Sequence, residues 1–243
     1  MPEFRVILVS PRHDGNIGAT VRSMANFGFS DLFMVTPCEI TDEAYKRAKH
    51  AGDILRSASI VDDLDHAIEG CDLIVGTSGI ITQGEKHYAR IPLTPKQFAE
   101  RMKDYDEKVA LLFGPEDAGL SQEDIMRCDI LVHIPANDEY PILNLSHAAT
   151  VVLYELHDLK PRKGGPRIAS EPEKALLFQF FDDLLDSIDY PDFRREKTKV
   201  MFRRMMGRSV PTRYEYYTIM GVLGDAAKKI KKLENKDEAD QVE

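Results

Sequence analysis

No run of apolar residues in this 243-residue chain approaches the length of a membrane span, so no helical anchor in a bilayer is expected. The opening segment Met1-Pro2-Glu3-Phe4-Arg5 has neither the apolar stretch nor the cleavage site of a signal peptide. Cysteine is scarce. Cys38, Cys71 and Cys128 are odd in number, far apart and without the paired spacing of a zinc site or redox motif. Reduced structural thiols in a cytoplasmic protein, with no membrane association and no metal, are therefore expected. Also missing are the three-glycine fingerprint of a dinucleotide site and a P-loop lysine, both of which would fall in Ser10-Pro11-Arg12-His13-Asp14-Gly15-Asn16-Ile17-Gly18. NAD and ATP lose support.

What is present suffices for one α/β domain and an appendage, since 43% of residues are hydrophobic. The formal net charge of −9 argues against the whole surface binding nucleic acid. The average hides a local reversal. Between Pro191 and Arg213, Arg194, Arg195, Lys197, Lys199, Arg203, Arg204, Arg208 and Arg213 face only Asp192 and Glu196. Such a face is compatible with RNA, and equally with a solvated helix face balanced by Asp182, Asp183, Asp186 and Asp189.

From Phe4 to Leu159, short β-branched runs alternate with amphipathic segments. Val6–Val9, Leu32–Val35, Leu73–Val75, Val109–Phe113 and Ile130–Ile134 read as buried strands of a parallel sheet. Helices are expected near residues 17–27, 42–50, 95–104 and 145–158. In the first, Ile17, Val21, Met24 and Ala25 should pack on the sheet. Gly15, Gly18, Ala19 and Arg22 form a nearly side-chain-free face that would leave room for a ligand.

A domain of residues 1–160 is expected to end at Lys160-Pro161-Arg162-Lys163-Gly164-Gly165-Pro166-Arg167, an exposed linker extending over 161–172. Beyond it, Leu177, Phe180, Phe181, Leu184, Leu185 and Ile188 mark one helix, and Tyr216, Met220, Leu223, Ala227 and Ile230 another. Residues 173–243 thus read as a small helical extension with a frayed acidic tail from Glu234.

Three loop-to-helix junctions follow the ends of apolar strands, where α/β folds bind ligands. The first, Asn16-Ile17-Gly18-Ala19-Thr20-Val21-Arg22, offers Asn16 either as a helix cap or as a site residue, and Arg22 as a bidentate phosphate ligand. His13 precedes it as a further candidate. The second, Leu112-Phe113-Gly114-Pro115-Glu116-Asp117-Ala118-Gly119-Leu120-Ser121, lets backbone approach a ligand closely, with Glu116 between the glycines or capping a helix. The third, Pro135-Ala136-Asn137-Asp138-Glu139-Tyr140-Pro141-Ile142-Leu143-Asn144-Leu145-Ser146-His147, places Asn144, Ser146 and His147 at the opening of an apolar helix.

Together these motifs resemble the SpoU branch of the SPOUT methyltransferases, trefoil-knotted RNA 2′-O-ribose methyltransferases that use S-adenosylmethionine. The resemblance covers residues 4–158, with order, spacing and strand context agreeing for all three motifs. Ile134-Pro135-Ala136-Asn137-x-Glu139-Tyr140-x-x-Leu143-Asn144-Leu145 and the helical extension with Phe202-Arg203-Arg204-Met205-Met206-Gly207-Arg208 are similar to the TrmJ-type tRNA enzymes, which act at position 32 of the anticodon loop.

The resemblance implies a deep knot in which the third motif threads through a preceding loop. It also implies a homodimer whose active sites draw on both subunits. By the same resemblance Arg22, Asn16, Glu116 and Asn144 are catalytic, while Thr77, Ser78, Gly79, Gly114, Glu116, Ile134, Leu143, Asn144 and Ser146 hold S-adenosylmethionine. Arg194, Arg195, Arg203, Arg204 and Arg208 would contact tRNA. A guanidinium has donors but no acceptor, so Arg22 is read as a phosphate and alkoxide stabiliser rather than a base. One position departs from the pattern: Ile142 stands where many SpoU enzymes have serine, and a cytidine acceptor is preferred to uridine. Competing readings are a ribosomal RNA methyltransferase, a catalytically silent RNA-binding protein of the same fold, and a small-molecule enzyme on a doubly wound fold.

Overall fold

The computed structural model describes residues 2–79, 92–159, 169–209 and 211–240. Six parallel strands form one sheet: β1 (Glu3–Val9), β2 (Asp31–Val35), β3 (Ser59–Val61), β4 (Leu73–Thr77), β5 (Lys108–Phe113) and β6 (Ile130–Val132), in the order β3-β2-β1-β5-β4-β6. All five expected strands are present. β3 went unread because a three-residue edge strand, with Ile60 pointing into solvent, offers no continuous apolar run.

Around the sheet lie α1 (Asp14–Phe27), α2 (Asp42–Ala48), α3 (Gly52–Arg56), α4 (Leu64–Ile68), α5 (Pro95–Met102), α6 (Gln122–Arg127) and α7 (Leu145–Leu156). Strand pleating divides the core in two. Ile7, Val9, Val35, Ile74, Ala110, Leu112 and Leu131 meet Leu64 and Ala67 of α4 and Ile125 of α6 on one face. Val6, Leu8, Met34, Val75, Leu111 and Val132 point the other way and are equally buried. There α1 packs against α2 and α7, and α7 against α5. The short α4 and α6 carry too few apolar residues for a periodic signal, but their caps are explicit. Asp63 accepts from the His66 amide, and Ser121 forms a capping box with Asp124.

Ile17, Val21 and Met24 are fully buried as expected, whereas Ala25 is exposed. The small-residue face of α1 is not an open ligand surface. A Cβ at Gly18 would lie 2.1 Å from the carbonyl oxygen of Ala44, and one at Gly15 would lie 2.9 Å from Nε of Arg47. The glycines make room for α2, which crosses α1 too closely to tolerate side chains.

The chain divides into two compact units, Met1–Gly165 and Pro166–Glu243. The second contains α8 (Glu171–Ser187), α9 (Asp192–Ser209) and α10 (Arg213–Asp240) around Leu177, Met206, Tyr216 and Met220. Three helices replace the two marked in sequence, because α9 is dominated by basic residues and shows little amphipathic pattern. α10 continues to Asp240, through most of the segment expected to fray. The expected linker stretch at 160–167 lies outside the described residues. So do residues 80–91.

Candidate active site

A cavity of about 390 Å³ opens beyond the C-terminal ends of β4, β5 and β6, within the range of small-molecule sites. Thr77, Ser78 and Gly79 form one wall, Gly114 to Gly119 another, and Ile134 with Pro141, Ile142 and Leu143 a third. The walls are tied together by hydrogen bonds to backbone carbonyls. Thr77 Oγ1 donates to the Leu112 carbonyl at 2.9 Å, and the Ser78 amide donates to Val132 O at 2.9 Å. The buried His133 holds the Ser78 carbonyl through Nδ1 at 2.9 Å.

Gly114 allows the loop after β5 to fold back on itself. A Cβ there would stand 2.2 Å from the Leu120 nitrogen and 2.3 Å from the Gly119 carbonyl carbon. Gly119 completes the turn at φ 67°, where other residues are strained.

Beside the cavity, the three junctions meet in one chain of hydrogen bonds. Asn16 Nδ2 donates to Glu116 Oε1 at 2.8 Å, Asn144 Nδ2 donates to Asn16 Oδ1 at 3.0 Å, and Asn144 Oδ1 accepts from Ser146 N and Oγ at 2.9 and 2.8 Å. Glu116 also accepts from the Arg12 amide at 2.9 Å and the His13 amide at 3.3 Å. This carboxylate therefore fixes the start of α1, where the helix dipole favours it. Partial burial raises its pKa, but the bonds from Asn16 and the Arg12 amide outweigh that and leave it below the ordinary value. Asn16 lies inside α1 and does not cap it; the N-cap is His13, without a side-chain bond. Asn144 caps α7.

The remaining residues singled out in sequence lie nearby or apart. Thr77, Ser78, Gly79, Gly114, Glu116, Ile134 and Leu143 line the cavity; Asn144 and Ser146 stand behind it in the hydrogen-bond chain. Arg22 is exposed, six residues along α1 from Asn16, and among the described residues it has no ion-pair partner and does not line the cavity. Phe113, Leu120, Ile125 and Val132 complete the apolar lining, and no sequence signal separates such residues from ordinary core.

In the second unit, Arg194 is exposed over the Phe193 ring at 5.1 Å. Arg195 pairs with Asp186, and Lys199 with Asp182 at 2.7 Å. Arg203 lies 5.0 Å from the Phe178 ring centre, Arg208 is half-buried, and Arg204 is only 2% exposed. The acidic neighbours thus neutralise part of the basic run, and burial withdraws Arg204 from the surface.

A model described as the SpoU rRNA Methylase family matches residues 3–154, which include all three junctions. The chain belongs to the SpoU methylase family. The similarity of this SpoU protein to curated relatives extends over both units. It is 38% identical to the tRNA (cytidine-2′-O-)-methyltransferase TrmJ of Methanocaldococcus jannaschii over 88% of this chain and 96% of the relative. It is 33% identical to the tRNA (cytidine/uridine/adenosine-2′-O-)-methyltransferase TrmJ of Pseudomonas aeruginosa, covering 94% and 95%. Among solved structures, TrmJ from Z. mobilis ZM4 superposes with a TM-score of 0.69 at 28% identity, covering 93% of this chain and 98% of that one. The match supports the parallel sheet flanked by helices and carries the helical extension with it.

Among the described residues there is no cluster of three or more metal-binding side chains, and no helix is long and apolar enough to cross a membrane.

Proposed function

We propose that this SpoU protein transfers a methyl group from S-adenosylmethionine to a ribose 2′-oxygen of tRNA, at the pyrimidine of position 32 in the anticodon loop, with cytidine favoured. The observation that carries this reading is the similarity to TrmJ relatives across both units, with their named tRNA 2′-O-methyltransferase activity. The cavity fits the donor. Gly114 and Gly119 expose backbone polar groups, Ile134, Leu143 and Val132 supply apolar walls for a base, and the 390 Å³ volume suits a nucleoside joined to an amino acid. Thr77, Ser78, Gly79, Gly114, Glu116, Ile134 and Leu143 would hold it, with Asn144 and Ser146 bracing the third wall.

When bound, S-adenosylmethionine supplies a methyl group already activated by its sulfonium. The chain has mainly to align the acceptor, and orientation alone contributes about 7–11 kcal/mol to such reactions. Arg22 would grip a phosphate and stabilise negative charge developing on the ribose oxygen. Its proton would leave to solvent or phosphate, since a guanidinium accepts none. Asn16, Glu116 and Asn144 keep the three loops in one arrangement; Glu116 is a positioning residue.

A homodimer belongs to the same proposal. Arg22 is exposed and lies outside the lining of its own cavity, which suits a site completed by a second copy. The trefoil knot, a cytoplasmic location and a tRNA-contacting role for the helical extension through Arg194, Arg203 and Arg208 complete it. A ribosomal RNA acceptor is the second reading, favoured by the description of the matching family.

Incubation with labelled S-adenosylmethionine and unmodified tRNA transcripts, followed by digestion and mass spectrometry, tests the proposal. A 2′-O-methyl group at position 32 is expected. Donor binding with label only on ribosomal RNA would transfer the assignment to the second reading, and donor binding with no transfer to any RNA would leave a silent binding protein.

A further inference from the structure

Arg12 and Asp117, a residue of the cavity lining, are joined by an ion pair of 3.0 Å, with side chains 59% and 54% exposed. The adjacent residue Glu116 already accepts the backbone amide of Arg12 at 2.9 Å. Arg12 thus clasps the loop after β5 twice, once by backbone and once by side chain. The two bonds differ in kind. The arm's backbone is pinned along its length: Ser10 N donates to Val35 O at 2.8 Å, Cys38 N to Pro11 O at 3.0 Å, and His13 N to Glu116 at 3.3 Å. Ser10 and Thr36, both at positive φ, share a hydroxyl contact of 2.9 Å at its base. Beyond this rigid root the Arg12 guanidinium has, among the described residues, one exposed ion-pair partner, and such pairs hold weakly.

An acidic protein that receives a polyanion needs cations at the acceptor side of its site. In the first unit, Arg47 and Arg56 pair with acids on their own helices, and Arg5 and Arg127 are tied to Asp31 and Asp65. Among the described residues, Arg12 is instead held by one surface carboxylate, that of Asp117 in the cavity lining beside Glu116. We infer that Arg12 is a phosphate grip for the acceptor RNA: Asp117 holds its guanidinium in the free protein, and a backbone phosphate flanking the target ribose displaces Asp117 when RNA docks. A planar guanidinium can take two phosphate oxygens at once, which favours the exchange. This rests on the proposed RNA acceptor and adds a contact outside the three motifs.

The test is binding of a labelled, unmodified tRNA transcript to the full chain between about 50 and 200 mM salt, alongside donor affinity measured by calorimetry. Arg12→Gln, which keeps the aliphatic stem, should weaken tRNA binding about tenfold at low salt. It should also lower the slope of log affinity against log salt by about 0.7–0.9, the loss of one phosphate contact, while donor affinity stays within twofold. Arg12→Lys should restore the slope and part of the affinity. Asp117→Asn, which releases the guanidinium, should tighten tRNA binding. An unchanged slope in Arg12→Gln, with the unaltered chain binding and methylating tRNA, overturns the inference and leaves the proposed function standing. Loss of donor affinity in place of tRNA affinity also overturns it, assigning Arg12 to the donor carboxylate. Failure of the unaltered chain to bind any RNA would remove the functional reading and the inference with it.

Discussion

Asn16 and Glu116 stand exactly 100 positions apart in sequence and are joined by a 2.8 Å hydrogen bond. The bond orients both groups. With Nδ2 committed to the carboxylate, Asn16 must present Oδ1 to Asn144, and Asn144 must present its own oxygen to Ser146. One ionised side chain therefore sets the amide orientation of two asparagines and joins the loops that follow β1, β5 and β6.

Glu116→Gln should uncouple those loops. An amide has one acceptor oxygen where the carboxylate has two, so at least one of the donors from Arg12, His13 and Asn16 loses its partner. A loss of about 1–3 kcal/mol in urea unfolding is expected, with methyl transfer reduced at least tenfold. The pH dependence follows from the lowered carboxyl pKa. Its contribution is complete above the ordinary value of 4.5 and is lost as pH falls through the lower folded value. The stability gap between the two proteins should be constant near neutrality and close in acid; a gap that widens in acid would refute this account.

Arg22→Ala should abolish transfer, by about 100-fold or more, with donor affinity kept within about twofold. Arg22 is exposed and is not among the described residues that line the cavity, so its removal costs the fold little. Calorimetry with S-adenosylmethionine beside a transfer assay separates this from a structural role, in which both would fall.

Glycine substitutions should divide by what a methyl group meets. Gly18→Ala drives Cβ into the Ala44 carbonyl, and Gly114→Ala drives it into the Leu120 backbone. Neither neighbour is a movable side-chain end. Each should cost about 1–3 kcal/mol, and Gly114→Ala should also weaken donor binding. Gly221, exposed in α10 with nothing near its missing Cβ, should behave oppositely: alanine there should add about 0.5–1 kcal/mol. Thermal melts of the three variants decide the matter.

Two arginines of the basic run should respond differently to charge reversal. Arg194→Glu should weaken tRNA binding about tenfold at low salt with an unchanged melting curve, because the side chain is exposed. Arg204→Glu should instead destabilise the protein by about 3–5 kcal/mol, since it replaces a buried cation with a buried anion. Equal losses of tRNA affinity at equal stability would show that both contact RNA.

Much of this protein is written locally. Apolar runs such as Val109–Phe113 determine strands because a sheet covered on both faces needs no alternation, and the order of runs and helical segments specifies a parallel sheet. The three junctions are visible as glycine, asparagine and carboxylate residues at strand ends, and the fold joins them in one hydrogen-bond chain. What sequence left open were contacts between residues far apart. Whether Asn16 capped its own helix or reached Glu116, whether Gly15 and Gly18 faced a ligand or α2, and whether Arg204 met solvent or was buried all depend on which elements pack together. Local propensity sets the elements, and close packing, which only the tertiary structure specifies, chooses the partner of each polar or missing side chain.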